Sequence, residues 1–225
     1  MKRKELSLIA GIALCTLTVL LTVVYVMRPA PTDGVVYVAP CDTDADTAEA
    51  IRAVTESGYM SLSLVDGSAY FYPDQPVRRG ELAVILCAML SPETGADKDA
   101  ALGIADEHDV PASQLSAVRT AVAHGYMRLH GDYTFRPSAM LTREEVADVF
   151  GALCAVEVST GRTEEITDLD EISPHFRKNA ERLIELGILQ GSDGRLRPKD
   201  IITREELALI IHRITESEYF IQRKP

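Results

Sequence analysis

The sequence predicts a mainly α-helical protein: three tandem helix–loop–helix units that share one core, behind a single N-terminal transmembrane helix. Three observations predict it. An uncharged apolar run opens the chain, one residue pattern recurs three times behind it, and apolar residues within each recurrence fall at helical spacing.

The N-terminal run from Leu6 to Met27 holds 22 residues without a charge, close to the ~20 that cross a bilayer as a helix. It exceeds the ~7–15 apolar residues of a signal peptide, and no Ala-x-Ala follows it. An uncleaved anchor is therefore expected, with a cleaved signal peptide as the alternative. Lys2, Arg3 and Lys4 precede the run and only Arg28 follows it, which places the N-terminus inside the cell and the body outside, at the cell surface.

The 225 residues are 46% hydrophobic and 25% charged, the balance of a globular chain. Trp is absent and aromatics are few, so the core must rest on Leu, Ile, Val and Ala, which suits helix-on-helix packing. Formal net charge is −11; residues 1–30 carry +3, leaving −14 on the body. A body that acidic is repelled by phosphate backbones, and no basic stripe offsets it, so nucleic acid is not expected as a partner.

The pattern begins with an apolar-periodic helix ending at Gly58, Gly125 or Gly187, where glycine suits the left-handed cap. A loop of variable length leads to Phe71/Pro73, Phe135/Pro137 or Leu196/Pro198. Six residues after each Pro stands an Arg (Arg79, Arg143, Arg204), and two residues later a Glu (Glu81, Glu145, Glu206). A second apolar helix follows, with Val146, Val149, Phe150 and Leu153, or Leu207, Ile210, Ile211 and Ile214, on its core face. Thr142-x-x-Glu145 and Thr203-x-x-Glu206 read as capping boxes. Copy 1 has Arg78 where the Thr belongs. The units span residues 36–90, 101–156 and 164–216, between the 1–30 anchor and a 217–225 tail. Residues 91–100 and 157–165 read as linkers. A two-helix unit of this size cannot bury its own apolar face, so the three share one core.

No catalytic constellation is present: the five histidines show no HExxH spacing, and there is no nucleophile elbow or phosphate-cradling loop. The acid pairs Glu144/Glu145 and Glu205/Glu206 lie at helix starts and read as caps. Cys15, Cys41, Cys87 and Cys154 form no CxxC and no zinc-spaced cluster. Cys87 and Cys154 lie on apolar helical stretches and read as buried thiols; a disulfide among Cys41, Cys87 and Cys154 would leave one thiol over. No enzyme, metal or cofactor is expected.

Helix–Gly–loop–Phe-x-Pro–Thr-Arg-x-Glu–helix, three times in register, resembles the S-layer homology domain over residues 36–216. The resemblance implies a pseudo-threefold arrangement around a central helical bundle, with grooves that bind secondary cell-wall polysaccharide, often pyruvylated, or another peptidoglycan-linked polymer. It implies that the motif arginines Arg79, Arg143 and Arg204 bind the glycan. It adds an acidic position, matched by Asp106 and Asp168 and by nothing clear in copy 1. The chain departs from the family in lacking the usual Trp of the first helix, His175-Phe176 being nearest to it, and in carrying Gly80 after Arg79. An arginine fork at a helix N-terminus suits a carboxylate, so the expected ligand is a carboxylate-bearing sugar. The alternative is a membrane-anchored protein-interaction scaffold that ignores glycan.

Overall fold

Local chemistry sets the helix ends in the computed structural model, which describes residues 44–90, 102–154, 156 and 159–219. Among the described residues there are six α-helices: α1 (Ala45–Glu56), α2 (Arg79–Leu90), α3 (Ala112–Ala123), α4 (Arg143–Leu153), α5 (Pro174–Glu185) and α6 (Arg204–Glu216). Asp44 caps α1 by accepting from the Thr47 N–H. Both capping boxes form, Thr142 with Glu145 on α4 and Thr203 with Glu206 on α6. Gly58, Gly125 and Gly187 follow α1, α3 and α5 at φ of 72°, 69° and 71°, where a Cβ would be strained. Among the described residues no helix is long and apolar enough to cross a membrane. The anchor expected at residues 6–27 lies outside the described residues, as do Cys15 and Cys41.

The helices pack in cyclic order. The second helix of each unit lies against the first helix of the next: α2 on α3, α4 on α5, and α6 back on α1. Between α4 and α5 the backbones come close, since a Cβ at Gly151 would sit 2.4 Å from the Asn179 carbonyl oxygen. Only glycine fits there. Where the three loops meet, a ring of backbone hydrogen bonds closes: Val77 N–H to Ile202 O at 3.1 Å, Ile202 N–H to Leu141 O at 2.9 Å, and Leu141 N–H to Val77 O at 3.0 Å. Extended backbone alternates its side chains, so Val77, Leu141 and Ile202 point into the core while the preceding Met140 and Ile201 are exposed.

A stretch read as a loop and one read as a linker hold regular structure among their described residues. The copy 1 loop holds a hairpin of β1 (Ser63–Val65) and β2 (Ser68–Tyr70). Its turn residues, Asp66 and Gly67, both have positive φ, the two-residue geometry that Asp-Gly favours. In the 157–165 linker, Arg162–Glu165 forms a 3-10 turn. The buried Glu185 carboxylate holds it, accepting from the N–H and hydroxyl of both Thr160 and Thr163. These bonds, the Thr163 hydroxyl foremost, keep the Glu185 carboxyl far below the usual glutamate range. Cys87 and Cys154 are free thiols, and burial pushes the Cys154 thiol up to about 11, which leaves it unreactive.

Candidate functional site

The three motif arginines sit at the first position of α2, α4 and α6, and all are buried, at 8%, 6% and 8% exposure. Each reaches into the loop of the next unit in the cycle. Arg79 Nε donates to Phe135 O (2.8 Å) and Nη2 to Arg128 O (3.0 Å). Arg143 Nε donates to Leu196 O (2.8 Å), Nη2 to Gln190 O (2.9 Å) and Nη1 to Glu206 (2.6 Å). Arg204 Nε donates to Phe71 O (2.8 Å), Nη2 to Ser61 O (2.7 Å) and Nη1 to Glu81. The arginines are therefore the pins between units.

This corrects the expectation of three open donor forks at exposed helix ends. At Arg143 and Arg204 every guanidinium nitrogen has a protein acceptor. The helix N-termini are occupied as well: the first two N–H groups of α2, α4 and α6 donate to loop carbonyls, at Ala139 and Pro137, Asp200 and Pro198, and Gln75 and Pro73. Arg79 differs. Its Nη1 has no hydrogen bond and no ion pair within reach among the described residues, and the nearby Glu145 turns its carboxylate to the Thr142 cap instead.

Asp106 and Asp168 are not open carboxylates either. Asp106 accepts from the Phe135 and Arg136 N–H groups at 2.6 and 2.7 Å, and Asp168 from Leu196 and Arg197 at 2.7 and 2.8 Å. Arg136 and Arg197 are left-handed, at φ of 59° and 54°, a costly conformation for a non-glycine residue. The carboxylate clamps that turn and so presents the carbonyl on which the arginine pin lies. Glu144 has a further role that the cap reading missed: it is buried and accepts from Ser173 and Lys199. At the matching place on α6, the Glu205 carboxyl is pushed up by burial, then by Asp74, Glu206 and Asp44.

The clamp makes a prediction. Burial raises the Asp168 pKa, but the Leu196 and Arg197 N–H groups outweigh it and leave the carboxyl below its ordinary value. Its stabilisation is complete above the unfolded-state pKa of about 4 and is lost as pH falls through the lower folded value. Asp168→Asn is expected to cost about 1–3 kcal/mol at pH 7. The gap in Tm between variant and wild type should narrow as pH drops from about 5 to about 2, which thermal denaturation across pH checks.

Two cavities open at the joints between units. The first, about 220 Å³, is lined by Arg79, by the loop after α3 including Tyr126, Arg128 and His130, by Asp148 of α4, and by His175 and Phe176 of α5. Arg128 is mostly exposed and stands 3.5 Å from Asp148, while the His175 and Phe176 rings lie 3.8 Å apart. The second, about 340 Å³, is its counterpart around Arg143, with Asp44, Gln190, Glu206 and Arg213 on its walls. There the arginine is already neutralised by Glu206. Arg128, His130 and Asp148 were not singled out from the sequence. No spacing rule marks them, although the extra loop residue in copy 2 relative to copy 3 was visible.

The clamp aspartate, the left-handed turn and the arginine pin recur together in units 2 and 3, and a comparison with known families picks out the same stretches. Residues 106–147 and 165–208 match the S-layer homology domain. The first S-layer homology match starts at Asp106 itself, and each runs past its motif Glu. Unit 1 lies outside the matched residues; it has Arg78 for the capping Thr and Gly80 after the motif arginine. The chain is also similar to Cell surface glycoprotein 1 of Acetivibrio thermocellus, at 27% identity over 166 residues. That likeness covers 67% of this chain and 7% of the relative.

Proposed function

We propose that this chain binds cell-wall polysaccharide non-covalently at the cell surface, through three tandem S-layer homology units held to the membrane by the segment at residues 6–27. S-layer homology domains generally bind cell-wall polymers, and the two matched stretches and the surface glycoprotein relative support a wall-binding module rather than an enzyme. The observation that carries the reading is the Arg79 cavity. It offers a donor edge with no protein partner, an exposed second cation in Arg128 that Asp148 approaches at 3.5 Å, and the aromatic side chains of Tyr126 and Phe176 on its wall. A guanidinium edge with a free donor suits a carboxylate, and aromatic side chains suit the apolar face of a sugar. A carboxylate-bearing sugar such as a pyruvylated one fits both. Asp106 and Asp168 serve such a site only indirectly, by fixing the loops, and Arg143 and Arg204 hold the units together.

The test is co-sedimentation of the full-length chain with isolated wall polysaccharide. Arg79→Gln is expected to weaken binding at least tenfold, and Arg128→Ala, at an exposed position, by a few-fold, with the helical circular dichroism retained. If both variants bind like wild type, the Arg79 cavity is not the site. A second reading, the protein-interaction scaffold, is favoured by the exposed Met140 and Ile201 beside the central ring; it requires that wild type ignore wall polymer altogether.

A further inference from the structure

One polar atom of the Arg79 cavity has no role in the account so far. Nε2 of His130 is buried and has no hydrogen-bond partner among the described residues, although His130 lines the cavity. A buried ring nitrogen without a protein partner is unfavourable, and a group from outside the fold that supplies the partner would relieve that cost. The loop fixes it there: the His130 N–H donates to Thr134 O and its carbonyl accepts from the Tyr133 N–H, both at 2.9 Å.

The charged groups around it come from three elements. Arg79 approaches from α2, Arg136 and Asp132 from its own loop, and Glu145 from α4. Arg128, Asp148 and His175 share the cavity wall. Burial, then Arg79 and Arg136, hold the imidazole below its ordinary value, while Asp132 and Glu145 pull the other way without prevailing. A neutral imidazole therefore belongs to a residue of the same cavity wall as Arg79, whose Nη1 has no protein partner.

We propose that His130 is a second ligand-contacting group of this cavity, and that it takes up a proton when an anionic group, such as a sugar carboxylate, lodges between it and Arg79. The proposal rests on reading the cavity as the polymer site. An anion there offsets the two cations that, after burial, hold the ring neutral, and the protonated Nε2 then donates the hydrogen bond it otherwise lacks. Binding and protonation are linked, so affinity rises as pH falls, by up to about tenfold per pH unit.

The first measurement needs no ligand. In the free protein, NMR titration should place His130 below the ordinary imidazole value of about 6.5; a midpoint at or above that value overturns the proposal. The second uses carboxylated wall polysaccharide and the same polymer with its carboxyls reduced to alcohols. Wild-type affinity for the carboxylated polymer should rise at least threefold from pH 8 to pH 5.5. His130→Gln should bind with a flat pH profile, and His108→Gln should keep the slope. A slope that persists in His130→Gln, or that is absent from a wild type that binds, removes the role of His130 and leaves the polymer reading standing. An equal slope with the reduced polymer removes the anionic ligand class. A wild type that binds at no pH removes the polymer reading, and this proposal with it.

Discussion

Arg204→Ala is expected to destabilise the fold by about 3–5 kcal/mol, a large share of the 5–15 kcal/mol that a domain usually has. The guanidinium is 8% exposed, and each of its nitrogens holds a group from the first unit. Removing it strands the Phe71 and Ser61 carbonyls and leaves Glu81 without its partner. It also removes the cation 4.6 Å from the centre of the Phe71 ring. The loss falls on the joint between the last unit and the first. Urea denaturation followed by circular dichroism checks it; a loss under 1 kcal/mol would show that the pin is dispensable. Replacing all three motif arginines by alanine would therefore report unfolding rather than binding.

Phe135→Ala is the other large effect, about 3–5 kcal/mol by the usual cost of emptying a buried aromatic position. Phe135 is fully buried. Its N–H is clamped by Asp106 and its carbonyl receives Arg79, whose guanidinium carbon lies 5.1 Å from the ring centre. Wall binding should fall as well, because the loop that carries Arg128 and His130 hangs on this residue. Phe135→Leu separates the two effects. It refills much of the volume, so it should recover most of the stability while lacking the aromatic floor under Arg79.

What could be read from the sequence was what local chemistry decides. The Thr–Glu boxes cap α4 and α6, the three glycines end the first helices, and the apolar stripes face the core. The arginines were found but not understood. A six-residue spacing says where Arg204 stands on α6, but its partner Ser61 is 143 residues away. The structural role of the aspartates is hidden from the sequence for the same reason, since their partners are backbone groups of turns 28 to 30 residues further on. Arg128 and His130 escaped on different grounds: aligning copies by what they share discards the positions at which they differ. The hairpin was within reach, because Asp66-Gly67 between two short runs of strand-forming residues is itself a turn signal.

The cyclic packing, finally, bears on how the chain acquires its structure. α2 and α3 meet across a few tens of residues, as do α4 and α5, so those pairs can form while synthesis continues. The pairing of α1 with α6 spans nearly the whole described chain, and closing so long a loop carries the greater entropic cost. The apolar face of α1, with Ala50, Ile51 and Val54, therefore waits uncovered until α6 leaves the ribosome. That interval is when the nascent protein is most exposed to aggregation.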